Sequence, residues 1–237
     1  MCGRFVVAEV GSELVSVLRV DLVAENLPAP SWNVAPTAQA AIVLDSVKTE
    51  PPTRRLESAR WGLVPSWAKD PSVGARAFNA RSEELEDKPM FRSAFENRRA
   101  VIPASGYYEW HTAPEGKQPY YIHPADDQPL FFAGLYEWWR DPSKADDDPT
   151  RWLLSFTILT RASAGPLAEI HDRMPVVLDV DYADAWLDPT VDYQRDVLQA
   201  AYDAAPELSD TFEIRPVGSA VGNVRNDSPS LILPLPS

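Results

Sequence analysis

The sequence predicts an α+β fold with a curved, mostly antiparallel β-sheet core and flanking helices. Two observations predict it. Short apolar and β-branched runs recur along the chain and outnumber the segments with helical periodicity. They do not alternate regularly with helices, as the βαβ units of a doubly wound parallel sheet would require. Twenty-three prolines cut the 237 residues into short elements.

In chain order, Arg4–Ala8, Ala40–Leu44, Ala100–Ile102, Tyr107–Trp110, Tyr120–His123, Leu130–Tyr136 and Leu153–Leu159 read as strands. Helical periodicity appears at Ser12–Val20 and Phe91–Asn97. It returns at Tyr182–Leu187, ahead of Pro189, and at Asp192–Ala205, where Pro206 should stop it. Pro28–Pro36 and Pro51–Pro52 read as loops. Asp141–Pro149 is polar, acidic and bounded by proline, which predicts a surface loop, and Pro234–Ser237 reads as a tail trailing off the surface. The length suits one domain spanning residues 1–237.

Composition narrows the function classes. The apolar fraction of 45% and the aromatic fraction of 10% are ordinary for a globular protein. No apolar run approaches the ~20 residues that span a bilayer, and no basic region followed by an apolar one opens the chain. A cytoplasmic monomer with no membrane partner is expected. One cysteine permits neither an intramolecular disulfide nor a cysteine-rich zinc site, and His111, His123 and His171 are widely spaced. Neither a metal nor an organic cofactor is expected. A net charge of −13 argues against nucleic acid, whose phosphates need Lys and Arg. The surplus is uneven, however. Residues 1–120 carry 14 basic and 15 acidic groups, whereas residues 121–237 carry 8 and 20. The basic residues are 17 Arg against 5 Lys, the better fork for phosphate. Charge alone does not decide the partner.

The single cysteine stands at position 2. Removal of Met1 would leave Cys2 with a free α-amine and a thiol on adjacent carbons. The amine, with a pKa near ~7.7–8.0, keeps a neutral fraction at physiological pH. The thiol, ordinarily near ~8.5, would be partly thiolate, and Arg or His neighbours could tune it lower. An amine attacks an aldehyde to give an imine, and a thiol beside it can close a five-membered thiazolidine, helped by proximity. A lone cysteine also fits the role of a small buried apolar group. The context Met1-Cys2-Gly3-Arg4-Phe5 favours the chemical role, because Gly3 allows close backbone approach and Arg4 offers an anion contact.

That opening resembles the SRAP family, the SOS-response-associated peptidases that crosslink abasic sites. Further motifs resemble it in the same order: Asn33-Val34-Ala35-Pro36-Thr37, Arg60-Trp61-Gly62-Leu63-Val64-Pro65, Asn79-Ala80-Arg81-Ser82-Glu83 and Ser105-Gly106-Tyr107-Tyr108-Glu109-Trp110. Ala133-Gly134-Leu135-Tyr136-Glu137, Ile170-His171-Asp172-Arg173-Met174-Pro175 and Val221-Gly222-Asn223-Val224-Arg225-Asn226 complete the set.

The resemblance implies that Cys2 is the nucleophile and that Asn79, Glu109 and His171 line its pocket. It implies that Arg4, Arg81 and Arg173 hold phosphates, with Thr160 a further DNA contact. The implied partner is single-stranded DNA containing abasic sites, with nucleoid association when bound to damage.

The residue chemistry agrees. Glu109 lies between aromatic residues, where desolvation raises a carboxyl pKa and suits it to proton transfer. A salt-bridged strand glutamate is the plainer alternative. His171 can give a proton to the opening sugar ring, or serve as a capping or core histidine. Asn79 can orient the amine or a sugar hydroxyl, or merely stabilise a turn. Arg81 and Arg173 each stand two residues after a pocket residue, which would put phosphate anchors beside the pocket. Trp67 and Trp110 are the candidate stacking platforms for bases, whereas Trp61, Trp138, Trp152 and Trp186 read as core. The expected activity is a covalent thiazolidine crosslink at the abasic sugar, with weak strand cleavage through the imine. A peptidase using the terminal cysteine and a non-catalytic single-strand binder are the rivals.

Overall fold

The computed structural model describes residues 2–8, 12–114, 116–190, 192 and 194–235. Strand β1 (Arg4–Val7) leads into α1 (Ser12–Val17), β2 (Leu22–Val23), β3 (Ser31–Val34), β4 (Gln39–Ser46) and β5 (Thr53–Trp61). Then come β6 (Asn79–Arg81), α2 (Pro89–Asn97), β7 (Arg99–Ala104), β8 (Gly106–Ala113), β9 (Gly116–Pro124), β10 (Leu130–Arg140) and β11 (Trp152–Ala162). The chain finishes with β12 (Arg173–Pro175), β13 (Val177–Leu178), α3 (Val180–Leu187), α4 (Gln194–Asp210) and β14 (Phe212–Pro216).

Two sheets result. One is antiparallel throughout, in the order β14-β9-β8-β1-β3. The other runs β12-β11-β10-β7-β4-β5-β2, with β6 added to β11 and β13 to β10. A parallel pairing of β11 with β5, Ser155 opposite Arg60 and Phe156 opposite Trp61, closes β5, β4, β7, β10 and β11 into a small barrel. The expected α+β fold with a curved, mostly antiparallel sheet is what forms.

Four of the barrel strands, β4, β7, β10 and β11, are buried on both faces over most of their length, so they read as continuous apolar runs instead of alternating ones. Ile42, Trp61, Ile102, Phe132, Phe156 and Ile158 pack with Phe5, Tyr107 and Ile122 of the first sheet. On the other face, Val43, Leu56, Val101, Phe131 and Leu135 meet Leu14 of α1, Phe91 and Phe95 of α2, Trp186 of α3 and Leu198 of α4. The far side of the first sheet, through Val6, Tyr108 and Tyr121, is covered by Val217, Val221 and Leu231.

The structure corrects several sequence expectations. Pro28–Pro36 is not all loop, because β3 forms within it and pairs Val34 with Phe5. Helix α4 runs through Pro206 to Asp210. Proline removes the bond to the carbonyl four residues back, and that carbonyl, Tyr202 O, accepts from Arg161 Nη1 at 2.7 Å instead. Trp138 and Trp152, read as core, are 36% and 47% exposed. They stand two residues out of register on one face of the β10–β11 hairpin, with Lys48 over Trp138 and Arg151 over Trp152. The predicted tail is tied down as far as Leu235, whose N–H donates to Pro216 O at 3.2 Å while Pro234 bridges Val217. Ser237 lies outside the described residues.

Asp141–Pro149 is loop as expected, shaped by Asp141 and Asp148 accepting from the N–H groups of Ser143 and Thr150. Among the described residues, no helix is long and apolar enough to cross a membrane.

Candidate active site around Cys2

The site forms where the first sheet meets the barrel. Cys2 stands two residues before the start of β1, which is gripped on both sides: Phe5 pairs with Val34 of β3 and with Tyr107 of β8. The thiol is fully buried and makes a long contact, 3.7 Å, to Arg4 O. Asn79 reaches Cys2 from the barrel. Its Nδ2 donates to Cys2 O at 2.7 Å, while its Oδ1 is buried with no hydrogen-bond partner among the described residues. Asn79 is held there by the parallel pairing of β6 with β11, opposite Ile158.

Glu109 comes from β8, two residues after Tyr107 and on the same strand face. It is 4% exposed. Burial pushes its carboxyl above the usual range, with the charge of His171 pulling the other way. Burial also pushes the Cys2 thiol far up, and the Glu109 charge adds to that push. Tyr107 is raised in turn by burial and by the nearness of Cys2 and Glu109. In the chain that still carries Met1, burial therefore favours the neutral thiol, whereas the expected partial thiolate concerns a Cys2 that begins the chain. Burial is the largest cause of that rise.

His171 sits on the turn before β12. Its Nδ1 accepts from Arg173 N–H at 3.0 Å and lies 2.8 Å from Asp172 Oδ1. The backbone bond needs the Nδ1 lone pair, which leaves Nε2 to carry the proton of the neutral ring. His111 Nδ1 lies 2.9 Å from Glu169 O, so the strand carrying Glu109 is pinned to the turn that leads to His171.

The structure thus gathers Cys2, Asn79, Glu109 and His171 in one place from four separate stretches of chain. The expected DNA contacts divide into two groups. Trp67 is 64% exposed, and Arg81 is exposed with only a 3.5 Å contact to Glu84. Trp110 is half-buried against the cluster of Val6 and Tyr108. Arg4 is instead turned inward. Its Nη1 donates to Asn33 Oδ1 at 3.0 Å and to Val221 O at 2.8 Å, bracing β1 on the C-terminal segment. Burial lowers its pKa.

Thr160 requires a correction. It is fully buried and presents no surface to DNA. Its carbonyl accepts from Arg173 Nη2 at 2.6 Å and from Ser82 Oγ at 2.8 Å, so it positions Arg173. Arg173 also makes a two-pronged ion pair with Glu83, both contacts at 2.9 Å.

Sequence reasoning gave no role to Glu83 or Asn33. Both lie inside the motifs named above, at positions where a half-buried arginine needs a partner. Asn33 Nδ2 donates to the carbonyls of Val221, Asn223 and Asn226, tying the C-terminal motif to β3.

Two surface hollows of about 570 and 840 Å³ lie elsewhere, one beside Arg54 and Asp184 and the other beside Trp138 and Trp152. Neither contains a residue of the Cys2 cluster. Among the described residues, no three His, Cys, Asp or Glu side chains are grouped as a metal ion would need.

Known proteins resemble this chain closely. Abasic site processing protein YoqW of Bacillus subtilis is 36% identical over 98% of this chain and 99% of its own length. Abasic site processing protein YedK of Escherichia coli is 31% identical over 99% of this chain and 100% of its own. A crystal structure of a protein from Bacteroides thetaiotaomicron superposes with a TM-score of 0.78 at 20% identity, covering 98% of this chain and 99% of that one. The family model SOS response associated peptidase (SRAP) matches residues 1–224, and the chain belongs to that family.

Proposed function

We propose that this protein senses abasic sites in single-stranded DNA and captures them covalently through Cys2. The observation that carries the reading is the convergence of a buried thiol, a buried acid, an amide and an imidazole on the residue that would begin the mature chain. The names of the relatives, abasic site processing proteins, support the same substrate.

In this reading, removal of Met1 frees the Cys2 α-amine. His171 gives a proton to the ring oxygen as the abasic sugar opens to its aldehyde. The amine nitrogen attacks C1′ and water leaves, giving an imine. The sulfur then adds to the imine carbon. Its proton passes to Glu109 and on to the ring nitrogen, so amine, thiol and aldehyde become thiazolidine and water. With the thiol protonated, the amine acts first and Glu109 is needed for the second step. The unpartnered Asn79 Oδ1 accepts from the amine or from a sugar hydroxyl. Strand cleavage from the imine is a minor branch, and peptidase activity extends no further than the chain's own Met1. Arg81 and Arg173 hold backbone phosphates, and Trp67 and Trp110 stack on bases. The protein works as a monomer without metal or cofactor.

Intact mass spectrometry before and after incubation with an abasic oligonucleotide tests the reading. Loss of Met1 followed by a one-to-one adduct is expected, and Cys2→Ala should form none. A mature wild-type protein that stays unmodified, or a Cys2→Ser variant with an equally heat-stable adduct, would overturn it.

A further inference from the structure

Glu83 and Glu84 lie on the turn Ser82–Glu84 directly after Arg81, each facing an arginine that the proposal assigns to phosphate. Glu83 takes Arg173 through both oxygens, Nη1 to Oε1 and Nη2 to Oε2, each at 2.9 Å. Arg173 is only 13% exposed, while Glu83 is 44% exposed. Glu84 contacts Arg81 loosely, at 3.5 Å, and pairs with Lys88 at 2.5 Å. A carboxylate offers a guanidinium the same pair of anionic oxygens as a phosphate does. Burial pushes the Glu83 carboxyl up, but the hydrogen bonds and charge of Arg173 outweigh this and leave it below its usual range. The pair is therefore ionised and closed at neutral pH.

The geometry points to Glu83 as an anionic latch that occupies Arg173 in the free protein and yields it to a DNA backbone phosphate. The inference rests on the reading of the Arg81–Arg173 face as the one that meets DNA. An undamaged strand must trade a fixed two-pronged carboxylate for one phosphate, an exchange of near-equal contacts that gains little. An abasic strand is held by the covalent bond at Cys2 regardless. The latch thus suppresses binding to undamaged DNA without blocking capture, and it makes Glu83 a specificity residue.

Fluorescence anisotropy with an undamaged single-stranded oligonucleotide tests this, using wild type, Glu83→Gln, Arg173→Gln and the double variant. Glu83→Gln is expected to tighten binding several-fold. It should also steepen the dependence of log K on log salt by about 0.7, the release of one more counterion from a single strand. In the Arg173→Gln background the same change should do nothing, because the latch acts through that guanidinium. Unchanged or weaker binding by Glu83→Gln overturns the latch and makes Glu83 a brace that aims Arg173. A gain that persists without Arg173 also overturns it, as simple charge removal. Should Glu83→Gln not fold, Glu83→Asp keeps the charge but draws the carboxylate back from Arg173 by one methylene, out of the present two-pronged contact. It should tighten binding by a smaller factor, and no change there overturns the latch. Wild-type crosslinking to an abasic strand, run alongside, reports on the parent reading separately. A protein that binds the undamaged strand but never crosslinks sinks the Cys2 chemistry alone, and one that binds no strand in either form sinks both.

Discussion

A carboxyl buried beside a buried thiol destabilises the fold whenever it ionises. The folded pKa of Glu109 lies above its unfolded value, so its neutral form is the one the fold favours. The associated stability is fully present below the unfolded value, near ~4.3, and is lost as pH rises through the folded value. Glu109→Gln removes that loss. Its Tm should exceed that of wild type at pH 8, and the gap should close toward pH 4. Crosslinking at pH 7 should fall by roughly 100-fold or more, the usual worth of a positioned acid–base group. A Tm difference that ignores pH would show that Glu109 is not ionising in the fold.

Asn79→Ala should slow crosslinking about tenfold, the equivalent of one lost hydrogen bond of ~1.4 kcal/mol. Affinity for undamaged single strands should not change, since Asn79 meets Cys2 and not a phosphate. A fall in that affinity equal to the fall in rate would contradict the assignment. At this scale the sequence showed Cys2 and the raised carboxyl of Glu109 well, because both follow from the residue and its immediate neighbours. It could not show that Arg4 faces inward or that Thr160 is buried. Those facts depend on Val221 and on β6, far along the chain.

Among the elements, the segment between β5 and β6 places both Trp67 and Asn79, and it is folded by one close backbone crossing. Gly62 has φ +127°, and a Cβ there would lie 2.4 Å from Gly74 O. Gly62 N–H also donates to Phe156 O at 2.8 Å, anchoring the crossing to β11. Gly62→Ala should therefore cost about 3 kcal/mol by urea denaturation, combining backbone strain with a clash that no side chain can relieve. Gly218→Ala, with open space around its Cβ, should stay within about 0.5 kcal/mol and serves as the control. Equal effects at the two sites would refute the crossing as the cause.

The elements that sequence missed share a physical reason. β5 carries Arg54, Arg55, Glu57 and Arg60, and only Leu56, Ala59 and Trp61 of it are buried, so neither strand periodicity appears. Its place comes from partners: Arg54 is held by Asp45 and Asp184, and β4 pairs along its length. The continuation of α4 past Pro206 likewise depends on Arg161, a residue of another element. The barrel strands β7, β10 and β11 were legible because burial on both faces makes them uniformly apolar.

For the whole molecule, charge sets an unusual expectation for kinetics. A protein of net charge −13 and a DNA strand repel each other at long range, while the contacts proposed at Arg81 and Arg173 attract at short range. Salt acts on the two terms differently. The Debye length shrinks from about 30 Å at 0.01 M to about 8 Å at 0.15 M, which removes the long-range repulsion before it touches close ion pairs. Association should accordingly become faster as salt rises over that range, the reverse of the behaviour of basic DNA-binding proteins. Dissociation should quicken more, because each phosphate contact gives up part of its counterion-release advantage. Equilibrium affinity for undamaged single strands should then fall even as the on-rate climbs. Stopped-flow measurement at the two ionic strengths checks both signs. An on-rate that drops with salt would mean that a basic face large enough to govern approach outweighs the acidic surplus of residues 121–237, and the charge argument would fail.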